Sequence, residues 1–156
     1  MRARDPAFVI PLSFLAGVLL TLAPIPPQLA WWRPEWLLML VIFWVFNQPS
    51  YVGIWTAFVL GLVMDLIMGA RFGLHPASFV VIAWLARLVA LRLRVLSWSL
   101  SGALMVMLTA LALAIRYVLE MIYGNPPQTF QYALPIIGSA LCWPVVSAIL
   151  QRWGKY

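Results

Sequence analysis

Four carboxylates are all the acid in this chain, and two of them, Asp65 and Glu120, fall inside long apolar runs. Arg116 precedes Glu120 by four residues, which puts both on one face of a helix. An ionised side chain held in hydrocarbon is costly unless it meets protein, water or a counter-charge, so Asp65, Arg116 and Glu120 are the first candidates for function. The chemistry open to them is pairing. Asp65 is expected to pair with Arg116, with Arg71 as the next partner, and Glu120 to share Arg116. Such a buried pair contributes little to stability once desolvation is counted, and is better suited to fixing which helices meet and in what register.

Other residue types offer less. His75 is the single histidine and has no companions at metal-ligand spacing, so a solvated loop histidine is expected. Ser13, Thr56, Ser78 and Thr109 lie in or beside apolar runs, where hydroxyls bond back to their own helix rather than serve as nucleophiles. Gly-rich phosphate loops and suitably separated catalytic carboxylates are absent. Cys142 is the lone cysteine, which excludes an intrachain disulfide and suits a small apolar filler. The expectation is no catalytic, cofactor or metal site.

The element that positions Asp65 has its own pattern. Gly53, Ala57, Gly61, Asp65, Gly69 and Gly73 recur at every fourth position. Residues four apart stack on one helix face, so Gly53, Ala57 and Gly61 thin that face into a groove, as small-xxx-small faces do in membranes. With Asp65 and Gly69 they are the expected partner-binding groove. Gly69-x-x-x-Gly73 has Arg71 at its middle and straddles a span end, which favours a turn over a dimerisation motif.

Composition decides the solvent. Hydrophobic residues make up 65% of the 156-residue chain and charged ones 9%, against roughly 25% charged in a soluble domain. An all-α integral membrane protein is expected, forming one domain over residues 1–156. Breaks rich in Pro, Gly, Asn and Gln leave six apolar stretches: Phe8 to Leu22, Pro34 to Phe46, Tyr51 to Met68, Pro76 to Leu93, Leu96 to Tyr123 and Phe130 to Leu150. A six-transmembrane-helix bundle follows. The second stretch reaches only about 20 Å, so it needs a thinned bilayer or flanking residues around Arg33 and Glu35. Pro34 and Pro76 suit the first turns of their helices, and Pro144 predicts a kink in the last. The first stretch lacks a convincing cleavage site and is expected to stay as a span.

Positive charge sets the sides. With an even number of spans and the N-terminus inside, the inner set is Arg2, Arg4, Arg87, Arg92, Arg94, Arg152 and Lys155, and the outer loops keep Arg33 and Arg71. Both termini are thus expected in the cytoplasm. On this course Asp65 lies near the outer end of the third span, at the depth of Arg116 and Glu120 in the fifth. The +6 net charge is spread over span ends, so it reads as a topology signal rather than a nucleic-acid surface.

Arg33-Pro34-Glu35-Trp36 with the apolar run behind it, then Gly61 to Gly69 with Asp65 at its centre and Leu74 after Gly73, resembles the MreD family of rod shape-determining proteins. Arg33, Pro34 and Trp36, and Gly61, Asp65 and Gly69, match its motifs; Arg116 and Glu120 lie outside them. The resemblance implies a fold similar to the substrate-binding components of energy-coupling-factor transporters. It also implies a non-enzymatic scaffold of the bacterial cell-elongation complex, multi-pass in the inner membrane, supporting rod shape and lateral peptidoglycan synthesis. Implied partners are MreC, a RodA-type glycosyltransferase, a class B penicillin-binding transpeptidase and, indirectly, MreB, with the lipid bilayer as solvent and no nucleic acid or cofactor. A small-molecule-binding transporter subunit of energy-coupling-factor type is the alternative.

Overall fold

A computed structural model describes residues 6–92, 97–124 and 131–153. They form six α-helices: α1 (Pro6–Leu22), α2 (Trp36–Asn47), α3 (Ile54–Met68), α4 (Leu74–Arg92), α5 (Trp98–Ile122) and α6 (Leu134–Trp153). Single 3-10 turns at Ala30–Trp32 and Gln131–Ala133 precede α2 and α6. Each expected apolar stretch became one helix, bounded where Pro and Gly interrupt the hydropathy. Three of them, at Leu74–Arg92, Trp98–Ile122 and Leu134–Arg152, are long and apolar enough to cross a membrane; α1 and α3 are shorter apolar helices.

The middle of the bundle is α2. All its residues from Leu37 to Val45 are buried, enclosed by the helices around it. It packs against α1, α4, α5 and α6. Its 12 residues rise about 18 Å, short of a ~30 Å core. The helix does not borrow the flanking residues. Helix α2 starts at Trp36, so Pro34 lies before the helix rather than in its first turn, and Arg33 and Glu35 stay outside it. Its first residue and the one before it are partly buried, whereas Asn47 at its other end is exposed. Pro76 does fall in the first turn of α4.

Close contacts explain the packing. Gly17 lets α1 approach α2: a Cβ there would stand 2.6 Å from a Leu40 methyl. One turn away, the Trp44 indole N–H donates to Ser13 Oγ at 2.8 Å, and Ser13 in turn donates to the Ile10 carbonyl at 2.7 Å. The buried indole thereby gains the partner it needs, and α1 runs antiparallel to α2. Gly138 seats α6 against the turn before α2, where any Cβ would collide with the Trp32 carbonyl. Phe43 of α2 and Trp143 of α6 meet edge to face at 6.2 Å.

Candidate functional site

The small-residue row is buried inside the protein itself. Helices α3 and α4 are antiparallel neighbours joined by the turn at 69–73. A Cβ on Gly61 would lie 2.5 Å from Pro76 Cα and 2.9 Å from the His75 carbonyl carbon. Ala57 is completely buried, and the Cβ position of Gly53 lies 3.7 Å from the Arg87 guanidinium. The expected partner-binding groove of Gly53, Ala57, Gly61 and Asp65 is therefore filled by α4 of the same chain. A thin helix face accepts whichever helix reaches it first, and one tethered by a short turn has the higher effective concentration. Gly69 takes no part in the groove. It ends α3 in the left-handed conformation at φ 59°, with no atom near its Cβ position, and Gly73 has φ 105°. Both glycines serve the turn, as the sequence suggested.

Asp65 is the clasp of that turn. It is 1% exposed. One carboxylate oxygen accepts the Gly73 N–H at 2.6 Å; the other accepts the His75 N–H at 3.1 Å and lies 2.6 Å from His75 Nδ1. From the final turn of α3, Asp65 thus satisfies backbone donors at the start of α4, where a negative charge also faces the positive end of the helix dipole. This corrects two expectations. Asp65 pairs with neither Arg116 nor Arg71, since donors within ten residues of chain take both its oxygens. His75 is not a solvated loop residue; it is buried, with its ring edge-on to Phe79 at 6.2 Å.

Arg116 finds a different acid. Its Nη1 donates to Glu35 Oε1 at 3.1 Å, joining α5 to the residue before α2. Glu120 is not its salt-bridge partner among the described residues; it lies with Tyr132 of the turn before α6. Burial pushes the Tyr132 phenol up to about 12, with the Glu120 and Glu35 carboxylates adding to the rise and the Arg116 guanidinium opposing it. Arg71 points elsewhere, donating to the Tyr123 carbonyl at 2.9 Å with its guanidinium 5.5 Å from the Tyr123 ring.

The motif around Arg33, Pro34 and Trp36 closes the same end of the bundle. The Arg33 guanidinium donates to the Ala23 carbonyl just past α1, and the Glu35 N–H donates to Ser139 Oγ of α6 at 3.0 Å. Glu35 therefore meets both α5 and α6. Sequence reading missed it as Arg116's partner, although it stands at the mouth of the second apolar stretch, at the level where Arg116 lies in the fifth. Ser13, Thr21 and Ser78 bond back to their own helices, as the sequence suggested for span hydroxyls.

A family model described as rod shape-determining protein MreD matches residues 3–153. The chain belongs to this family. The rod shape-determining protein MreD of Haemophilus influenzae (strain ATCC 51907 / DSM 11121 / KW20 / Rd) is 28% identical over 145 residues, covering 93% of this chain and 90% of the relative. No solved structure matches the chain. Membership of the MreD family makes this a membrane protein of rod shape determination, structural in kind and not an enzyme. Within it, the Gly61-x-x-x-Asp65-x-x-x-Gly69 motif has a physical meaning: close approach, helix-start clasp and left-handed turn, in that order along α3 and into the turn.

Proposed function

We propose that this MreD-family protein is a membrane scaffold of the bacterial cell-elongation complex. In the inner membrane it holds MreC, and with it the RodA-type glycosyltransferase and the class B transpeptidase, for lateral peptidoglycan synthesis; contact with MreB is indirect. The family match from residue 3 to residue 153 carries this reading. The internal architecture supports it. A short core helix enclosed by its neighbours, with the polar groups of one end tied to each other, is a rigid body whose outer faces remain free to dock.

The scaffold's N- and C-termini face the cytoplasm. Arg87, Arg92 and Arg152 lie at the bundle end where α1 begins, while Arg33 and Arg71 lie at the other, and short cytoplasmic loops retain positive charge. Because α4 fills the small-residue row, contact with MreC falls on outward-facing positions such as Trp55 and Leu66 of α3 or Leu141 and Val145 of α6.

Single cysteines at those four sites, in a Cys142→Ser background, test the reading by disulfide crosslinking to cysteines along the MreC membrane helix. Crosslinks confined to one helix face are the expected result. No crosslink at any site, together with no co-purification of MreC, overturns it.

A further inference from the structure

We propose that a cleft bounded by α1, α2 and α6 is a binding site for one phospholipid whose zwitterionic head carries a primary ammonium. The cleft has two compartments. The first, about 340 Å³, is apolar and lined by Leu12, Ala16 and Leu20 of α1, Leu40 of α2, and Val146 and Ile149 of α6. Leu12, Leu20 and Ile149 are about half exposed, so it opens sideways on the surface of the bundle. The second, about 160 Å³, is lined by Thr21, Arg33, Glu35, Met64 and Met68. Trp36 lines both, and Leu20 and Thr21, consecutive in α1, line one each. The apolar channel therefore runs along α1 and adjoins, at Trp36, a chamber lined by one cation and one anion.

The occupant follows from the valences left in that chamber. Arg33 gives Nη2 to the Ala23 carbonyl and Glu35 gives Oε1 to Arg116. The buried Arg33 Nε and Glu35 Oε2 have no hydrogen-bond partner among the described residues. A buried donor or acceptor left unpaired is destabilising, and both residues line the chamber. A phosphate oxygen accepts from the guanidinium and a primary ammonium donates to the carboxylate, both as charge-assisted bonds. One acyl chain then lies in the apolar channel. A partner's apolar helix would fill the channel but leave both chamber atoms unpaired, and a lipid whose head lacks an ammonium would offer Glu35 at most a neutral hydroxyl donor. This site stands apart from the scaffold reading above.

The test uses the full chain in nanodiscs of equimolar phosphatidylethanolamine, phosphatidylcholine and phosphatidylglycerol with matched acyl chains, followed by native mass spectrometry. One phosphatidylethanolamine per chain is expected to persist, favoured about tenfold over the other two, the size of one charge-assisted hydrogen bond. Phosphatidylcholine is the decisive comparison, since its methylated ammonium cannot donate. Ala16→Phe, at an exposed position lining the channel, should lower retained lipid of every class at an unchanged melting temperature. Arg33→Gln should lower retention of all three lipids together, since each carries a phosphate, and leave the order of head preference unchanged. Equal retention of the three lipids by the unaltered chain overturns the proposal, and so does a bound polypeptide, rather than lipid, displaced by Ala16→Phe.

Discussion

Glu35 and Arg116 are 81 positions apart in the chain and 3.1 Å apart in space. Their pair ties the segment before the core helix to α5, and both side chains are nearly shut off from solvent. Removing one partner strands the other charge, at a cost of about 3–5 kcal/mol, whereas apolar groups of similar size at both positions restore most of it. Glu35→Leu and Arg116→Met singly are therefore expected to lower the melting temperature of the detergent-solubilised protein sharply. The double variant should recover most of the loss. A double variant as unstable as the sum of the singles would show that the pair is not the link.

Asp65 answers to the start of α4 rather than to any arginine. Asp65→Ala leaves the N–H groups of Gly73 and His75 without an acceptor and should lower stability by about 2–6 kcal/mol, at 1–3 kcal/mol for each stranded donor. Asp65→Asn keeps side-chain oxygen as an acceptor and should lose less. Exchanging charges, Asp65→Arg with Arg116→Asp, is expected to rescue nothing, because the two side chains have different partners. Thermal unfolding in a single detergent separates these outcomes, and rescue by the exchange would restore the pairing of Asp65 with Arg116.

Gly61 is a contact glycine. A methyl group there meets the α4 backbone at Pro76, which cannot turn aside as a side-chain tip would. Gly61→Ala should cost about 2–3 kcal/mol, at the upper range of overpacking. The damage should appear in the isolated protein, as a lower melting temperature with no partner present. A variant of normal stability that only loses MreC binding would return the small-residue row to an intermolecular role.

Gly69 is a conformational glycine, and its substitution isolates backbone strain. Nothing stands near its Cβ position, so Gly69→Ala meets only the cost of a left-handed conformation, about 1–2 kcal/mol. Gly69→Asn should lose less, since Asn tolerates that region better. Equal losses for the two, measured as denaturation midpoints, would mean that the turn needs something other than its φ angle.

The six helices were legible because each is a run of apolar residues ended by Pro, Gly, Asn or Gln, and lipid leaves such runs little choice but to coil. Helix α3 ends at Met68 as expected, and the start of α2 moved by only two residues, from Pro34 to Trp36. The partners of the charged residues were harder to read. Hydropathy and period place Asp65 at a depth and on a face, but a backbone N–H carries no letter in the sequence, so Gly73 and His75 gave no sign that they were donors. The groove failed for a related reason. Spacing shows that a helix is thin along Gly53, Ala57 and Gly61, yet not whose helix will fill the space. A five-residue connection, with Gly69 and Gly73 at its ends, was the clue that the next helix folds straight back.

The order in which the chain is made gives the enclosed α2 a further meaning. It leaves the ribosome second, yet three of the helices that cover it are translated later, and the last of those to appear, α6, brings Ser139 to the Glu35 N–H. Until then the shortest helix must wait in contact with lipid, too short to span and with a carboxylate at its mouth. A chain without α6 would leave the Glu35 N–H without Ser139 and one side of α2 uncovered.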